Sequence, residues 1–166
     1  MITILTIILI IIIIKRIKRK KAYEGLQAKL SNIAGECNLK RVEKNKAFDF
    51  EMLYNDRIYL IKLIYHPTKA EINVNSKLYW QINKGVVSSR KTGEKMEKVY
   101  DLILFDLGTN NYPKDTIKLY VIYPDSVTLL KVLNECEMQF ISPKTNIYGC
   151  RMLRYKDLED TINEIL

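Results

Sequence analysis

Histidine is almost missing from this chain: His66 is the only one among 166 residues. There are three cysteines, Cys37, Cys136 and Cys150, and no two of them make a CxxC pair. A zinc-type cluster needs several Cys and His ligands at motif spacing, so that chemistry has no basis here. A cysteine nucleophile is disfavoured too, because His66 stands before Pro67 as a turn residue and neither Cys136 nor Cys150 has a histidine nearby. An odd, scattered set of thiols fits free, buried or half-buried cysteines in a reducing cytosolic compartment. P-loop, GxGxxG and N-x-S/T patterns are absent, as is any internal repeat, so none of the usual phosphate-cradling loops is present.

Acid is missing from one stretch in particular. Residues 15–21, KRIKRKK, hold six basic side chains and no carboxylate. With those six set aside, the 27 basic residues become 21 against 19 acidic ones. The net charge of +8 is therefore mostly local, and it gives little support to nucleic-acid binding by the rest of the chain. Apolar content of 48% and charged content of 28% are those of a folded protein, with room for one domain and an appendage.

The appendage is residues 1–14, MITILTIILIIIII. As a helix this run is about 21 Å long, short of a ~30 Å hydrocarbon core, and Ile17 with snorkelling Lys15 and Arg16 lengthens it. The basic cluster follows the apolar run instead of preceding it, and no small-residue cleavage site comes after it, so the pattern is not that of a signal peptide. The expectation is a single transmembrane helix. The positive-inside rule places the N-terminus outside, with residues 1–21 as the cell-membrane anchor and 22–166 as a cytoplasmic domain.

Within the domain, Leu26, Leu30, Ile33 and Cys37 recur at helical spacing over Ala22–Cys37. Residues 48–65, FDFEMLYNDRIYLIKLIY, read as two apolar strands around a polar turn at Asn55-Asp56-Arg57, a hairpin. Strand-like runs follow at 70–75 and 77–83. A helix is expected from Glu94 to Leu107, ended by Gly108. Residues 117–123, IKLYVIY, read as a strand covered on both faces. Asp125-Ser126 caps an expected helix through Cys136, short strands are expected at 138–141 and 147–153, and a last helix from Lys156 carries Leu158, Ile162 and Leu166. The simplest packing is an α/β, three-layer-like sandwich with a mixed central sheet and an α-β-β-β-α-β core.

Each arm of the hairpin holds one charge that the local pattern does not require, Asp49 and Lys62. Lys62 lies between Leu60-Ile61 and Leu63-Ile64, and a buried cation needs a partner. With FDF around Asp49, YLIK ending at Lys62, EINVNSKLYWQ around Trp80, and IKLYVIY, this order resembles the PD-(D/E)xK nuclease superfamily. Within it, the chain is most similar to the nuclease-related domain, NERD, over most of 22–142. That resemblance implies a nuclease fold in which an Asp and a Glu hold a divalent metal and a Lys serves the attacking water. The position of the Glu, two residues before the lysine, is Leu60 here.

A hard cation such as Mg²⁺ needs oxygen ligands from more than one side chain. The candidates to replace the missing carboxylate are Glu71, Glu51 and Glu36, with Asp49 and Glu51 on one face if their strand is regular. The expected reading is a degenerate NERD-like domain, without cofactor, that binds nucleic acid or a protein partner at the membrane. The alternatives are a nuclease using Mg²⁺ or Mn²⁺ with Asp49, Lys62 and a displaced Glu71 or Glu51, and a membrane-tethered adaptor unrelated to nucleases. Trp80 with Tyr79 could stack on bases, but a strand turns one of the two inward. Arg90, Lys91, Lys95 and Lys98 are interleaved with Glu94 and Glu97 and read as a solvated face.

Overall fold

A computed structural model gives the fold and describes residues 2–42, 47–66, 70–77, 80–84, 97–99, 111–126, 128–134 and 137–164. The chain opens on one continuous helix, α1 (Ile2–Ala34), about 50 Å long at the standard rise. The apolar run and the expected first domain helix are therefore a single rod. Gly35 takes φ 82° and ends it, in a conformation that costs glycine little. Asn38 donates its amide to the Ala34 carbonyl at 2.9 Å, satisfying one acceptor that the helix end leaves open. Cys37, expected on the inward face of this helix, lies instead on the exposed 3₁₀ turn Glu36–Asn38, because the helix has already stopped.

Four strands follow: β1 (Leu39–Arg41), β2 (Phe50–Tyr54), β3 (Arg57–Tyr65) and β4 (Ala70–Val74). β2 and β3 form the expected hairpin. Tyr54 pairs with Arg57 across a two-residue turn, and Asn55 and Asp56 take φ of 49° and 58°, as a type I′ turn requires. Since glycine takes the second of these positions at no steric cost, Asp56→Gly is expected to stabilise the fold by about 0.5 kcal/mol, read as a higher urea midpoint. The remaining strands are β5 (Trp80–Lys84), β6 (Glu97–Val99), β7 (Ile117–Tyr123), β8 (Thr128–Asn134), β9 (Glu137–Phe140) and β10 (Arg151–Arg154). A 3₁₀ turn then leads into α2 (Leu158–Glu164).

The strands make two mixed five-stranded sheets, ordered β1-β2-β3-β7-β10 and β6-β5-β4-β8-β9. In the first, β7 runs parallel to both β3 and β10. Its two faces are buried by different things. Tyr59, Ile61, Leu63, Leu119, Val121 and Leu153 pack with Ala22, Leu26 and Leu30 of α1 and with Leu158 and Ile162 of α2. Leu60, Ile64, Tyr120, Ile122 and Met152 pack on the other side against Ile72, Val74, Trp80, Ile82 and Leu129 of the second sheet. Helices, central sheet and second sheet are thus three layers. This double cover is why IKLYVIY is apolar almost throughout.

The expected fold is corrected in several places. β4 and the Trp80 strand do not extend the hairpin's sheet, so α-β-β-β does not close around one central sheet. The segment expected as a helix from Asp125 to Cys136 is strand β8, because Thr128–Asn134 finds ladder partners on both sides, β4 and β9, and in TLLKVLN the apolar spacing fits either period. The helix expected over Glu94–Leu107 lies mostly outside the described residues, and its Glu97–Val99 is strand β6. His66 is not a turn residue in solvent: its N–H donates to the Tyr123 carbonyl at 2.9 Å, one step beyond the β3–β7 ladder, and its side chain is buried. No described helix is long and apolar enough to cross a membrane, since the basic cluster interrupts α1 within one membrane-length of its start.

Candidate functional site

Asp49 sits at a bend one residue before β2. Its N–H donates to the Ile61 carbonyl at 2.8 Å, and its own carbonyl accepts Val42 N–H at 2.9 Å. The backbone is therefore fixed on both sides. Asp49 Oδ2 then accepts Leu63 N–H at 2.8 Å, so the carboxylate stands where a strand carbonyl would have continued the ladder along β3. Lys62 Nζ reaches Oδ1 at 3.6 Å, with the two side chains only 14% and 15% exposed.

Helix α1 closes the site from the other side. Tyr23 donates its hydroxyl to Asp49 Oδ1 at 3.4 Å, and its ring lies 6.4 Å from that of Phe50. Arg19 donates to the Tyr23 oxygen at 3.4 Å and holds its guanidinium 5.7 Å from the Tyr23 ring centre. Arg19, Tyr23, Asp49 and Lys62 thus form one chain of contacts. Burial pushes the Asp49 carboxyl above its ordinary value, outweighing the Lys62 charge and the Leu63 N–H bond that act against it. Burial likewise raises the Tyr23 phenol, with the Arg19 hydrogen bond opposing.

The other candidate carboxylates are engaged elsewhere. Glu51 accepts the Tyr112 hydroxyl at 2.7 Å. Tyr112 in turn packs edge-on against Phe48, and burial together with Glu51 pushes its phenol up to about 12. The strand alternation that would have put Glu51 beside Asp49 fails because Asp49 belongs to the bend and not to the regular strand. Glu71 lies on β4 in the second sheet, accepting from Asn73 Nδ2 at 3.0 Å and from Thr128 Oγ1 at 3.1 Å. Glu36 is exposed on the turn after α1. Leu60, at the position the nuclease motif gives to Glu, is fully buried between the sheets.

No family model, curated protein or solved structure matches this chain. The residues themselves must therefore carry the chemistry. The structure brings Asp49 and Lys62 together and does not bring Glu51, Glu71 or Glu36 to them. Among the described residues no three His, Cys, Asp or Glu side chains form a group that could hold a metal. Both Asp49 oxygens already accept hydrogen bonds or an ion pair. Such a donor set does not suit an octahedral Mg²⁺, which wants several free oxygens.

Trp80 is fully buried, as core packing requires, while Tyr79, Arg90, Lys91, Glu94, Lys95 and Cys136 lie outside the described residues. The participants that sequence reasoning missed are Arg19 and Tyr23. The signal was present: Arg19, Tyr23, Leu26 and Leu30 recur at steps of four, three and four, one continuous stripe of a helix.

Proposed function

We propose that this chain is a membrane-tethered, non-catalytic binding domain. One observation carries the reading. Eleven large aliphatic side chains of α1, between Ile4 and Ile14 and at Ile17, are 43–64% exposed, on every side of the helix, and from Ile4 on the first buried residue of the rod is Ala22. A helix that is apolar all round is normally buried by something. The six basic residues at its foot, with no acid before Glu24, match a bilayer with anionic headgroups better than a protein groove. The apolar run is about 20 Å long and reaches some two thirds of the way through a ~30 Å core, so insertion relies on the basic side chains snorkelling at the interface. The folded part, NERD-like by resemblance, then presents a nucleic-acid or protein binding surface beside the membrane. Its Asp49–Lys62 pair is a structural tie and not a metal centre.

Full-length protein is expected to float with neutral phosphatidylcholine vesicles, and Ile8→Ser to weaken that binding at least about tenfold, the worth of one buried isoleucine side chain. Flotation that is absent in wild type, or undiminished in Ile8→Ser, removes the tether. Plasmid incubated with the same protein in Mg²⁺ or Mn²⁺ is expected to stay intact. Cleavage that disappears in Asp49→Asn would instead establish the nuclease.

A further inference from the structure

Four residues of α1, Ile12, Lys15, Arg16 and Arg19, follow one another at helical steps of three, one and three, so they share one face of the rod. That face continues the stripe which, lower down, carries Tyr23, Leu26 and Leu30 into the core. It is therefore turned toward the domain. A helix face turned toward its own domain is ordinarily apolar, yet here it presents three cations. Together with Tyr65 at the end of β3, the four residues line an open cleft of about 310 Å³. Tyr65 is a firm wall: its ring stacks on Tyr123 at 6.1 Å, and Tyr123 meets Tyr155 edge-on at 5.2 Å.

We infer that this cleft binds the phosphate of an anionic phospholipid headgroup, with the acyl chain running up beside Ile12; the inference rests on the membrane-tether reading. The chemistry fits that one ligand. Arg16 offers a planar donor fork to phosphate oxygens, and Arg19, three residues on and bonded to Tyr23, adds a second guanidinium charge. The apolar wall begins at Ile12, on the side where the exposed aliphatic run starts, so charged and apolar lining meet in the order in which a lipid presents headgroup and chain. The helix carries no acid before Glu24, and Glu24 is paired with Lys20 at 3.7 Å. Arg19 also joins the cleft to Asp49 through Tyr23, so a bound headgroup sits at the end of the same contact chain.

The test measures full-length protein on vesicles of phosphatidylcholine with and without phosphatidylglycerol. Wild type is expected to prefer the anionic vesicles. Arg16→Gln/Arg19→Gln should lose about tenfold or more of that preference, and Lys18→Gln/Lys20→Gln, equal in charge and close in depth but outside the lining, clearly less. Equal losses in the two variants would mean diffuse attraction and overturn the site. In phosphate-free buffer, no preference for the anionic vesicles overturns the lipid assignment. Inorganic phosphate added at matched ionic strength is expected to lower the preference in wild type and not in Arg16→Gln/Arg19→Gln, as a competitor for a phosphate site would, and equal lowering in both overturns the site. Binding to neutral vesicles is read in every sample, so failure of the tether is seen separately from failure of the cleft. Circular dichroism melting checks folding, and Lys15→Gln/Arg16→Gln, both exposed, replaces the first variant if Arg19 proves necessary to the fold; a preference retained in that replacement also overturns the site.

Discussion

Replacing Trp80 by alanine is expected to lower the unfolding free energy by about 3–5 kcal/mol, the usual cost of emptying a core aromatic site. Trp80 is fully buried and comes from the second sheet, while the ring it meets at 5.0 Å and 69°, Tyr120, comes from the central one. The pair therefore bridges the two sheets, and its loss opens a void between layers whose close-packed side chains can only partly collapse into it. Trp80→Phe separates two contributions. The indole N–H finds no hydrogen-bond partner among the described residues, so phenylalanine removes an unsatisfied donor along with part of the ring, and its cost is expected to stay below about 1.5 kcal/mol. Urea unfolding followed by circular dichroism measures both, with an unchanged m-value as the sign that the fold is intact. If Trp80→Ala costs under about 1 kcal/mol, the side chain is not the inter-sheet anchor, and a surface role such as base stacking returns to consideration.

What could be read from sequence and what could not divide along a physical line. The hairpin was legible because Asn55 and Asp56 tolerate positive φ and the arms around them are apolar and β-branched. β7 was legible because a strand buried on both faces leaves a run with few polar residues. Leu26 and Leu30 were legible from period alone. The β8 segment was not, since seven residues cannot distinguish a period of two from one of 3.6, and its neighbours in the sheet decide. The placement of β4 beside β8 is a long-range choice that no local pattern encodes. Within the site, the Asp49–Lys62 pairing followed from the cost of burying a lone lysine, whereas the bend at Asp49 that turns its carboxylate onto Leu63 N–H had no sequence signature. Arg19 escaped notice because a run of six basic residues looks like a tag, and its helical stripe emerges only when the residues below it are known to be packed.

Asp49→Ala is expected to cost about 2–4 kcal/mol near neutral pH, because it strands the Leu63 N–H and removes the carboxylate 3.6 Å from the largely buried Lys62 ammonium. Asp49→Asn keeps an acceptor for that N–H and should cost less, and Lys62→Met leaves a buried carboxylate unpaired and should also destabilise. The double variant Asp49→Asn/Lys62→Met removes both charges while retaining the acceptor and the apolar stem. It is expected to be less destabilised than the two single changes together, since a buried pair is worth little against an uncharged replacement of similar shape.

The pH dependence gives an independent sign. Burial raises the folded-state pKa of Asp49 above the ordinary 3.8, so the native state holds this proton more tightly than the unfolded chain. The stability it contributes is complete below the unfolded pKa and is lost as pH climbs from about 3.8 through the raised value. Relative to Asp49→Asn, wild type should therefore become less stable across that interval and level off above it. A rise across the same interval would mean that Lys62 more than repays the desolvation of Asp49. The ionised pair would then add net stability to the fold instead of costing it.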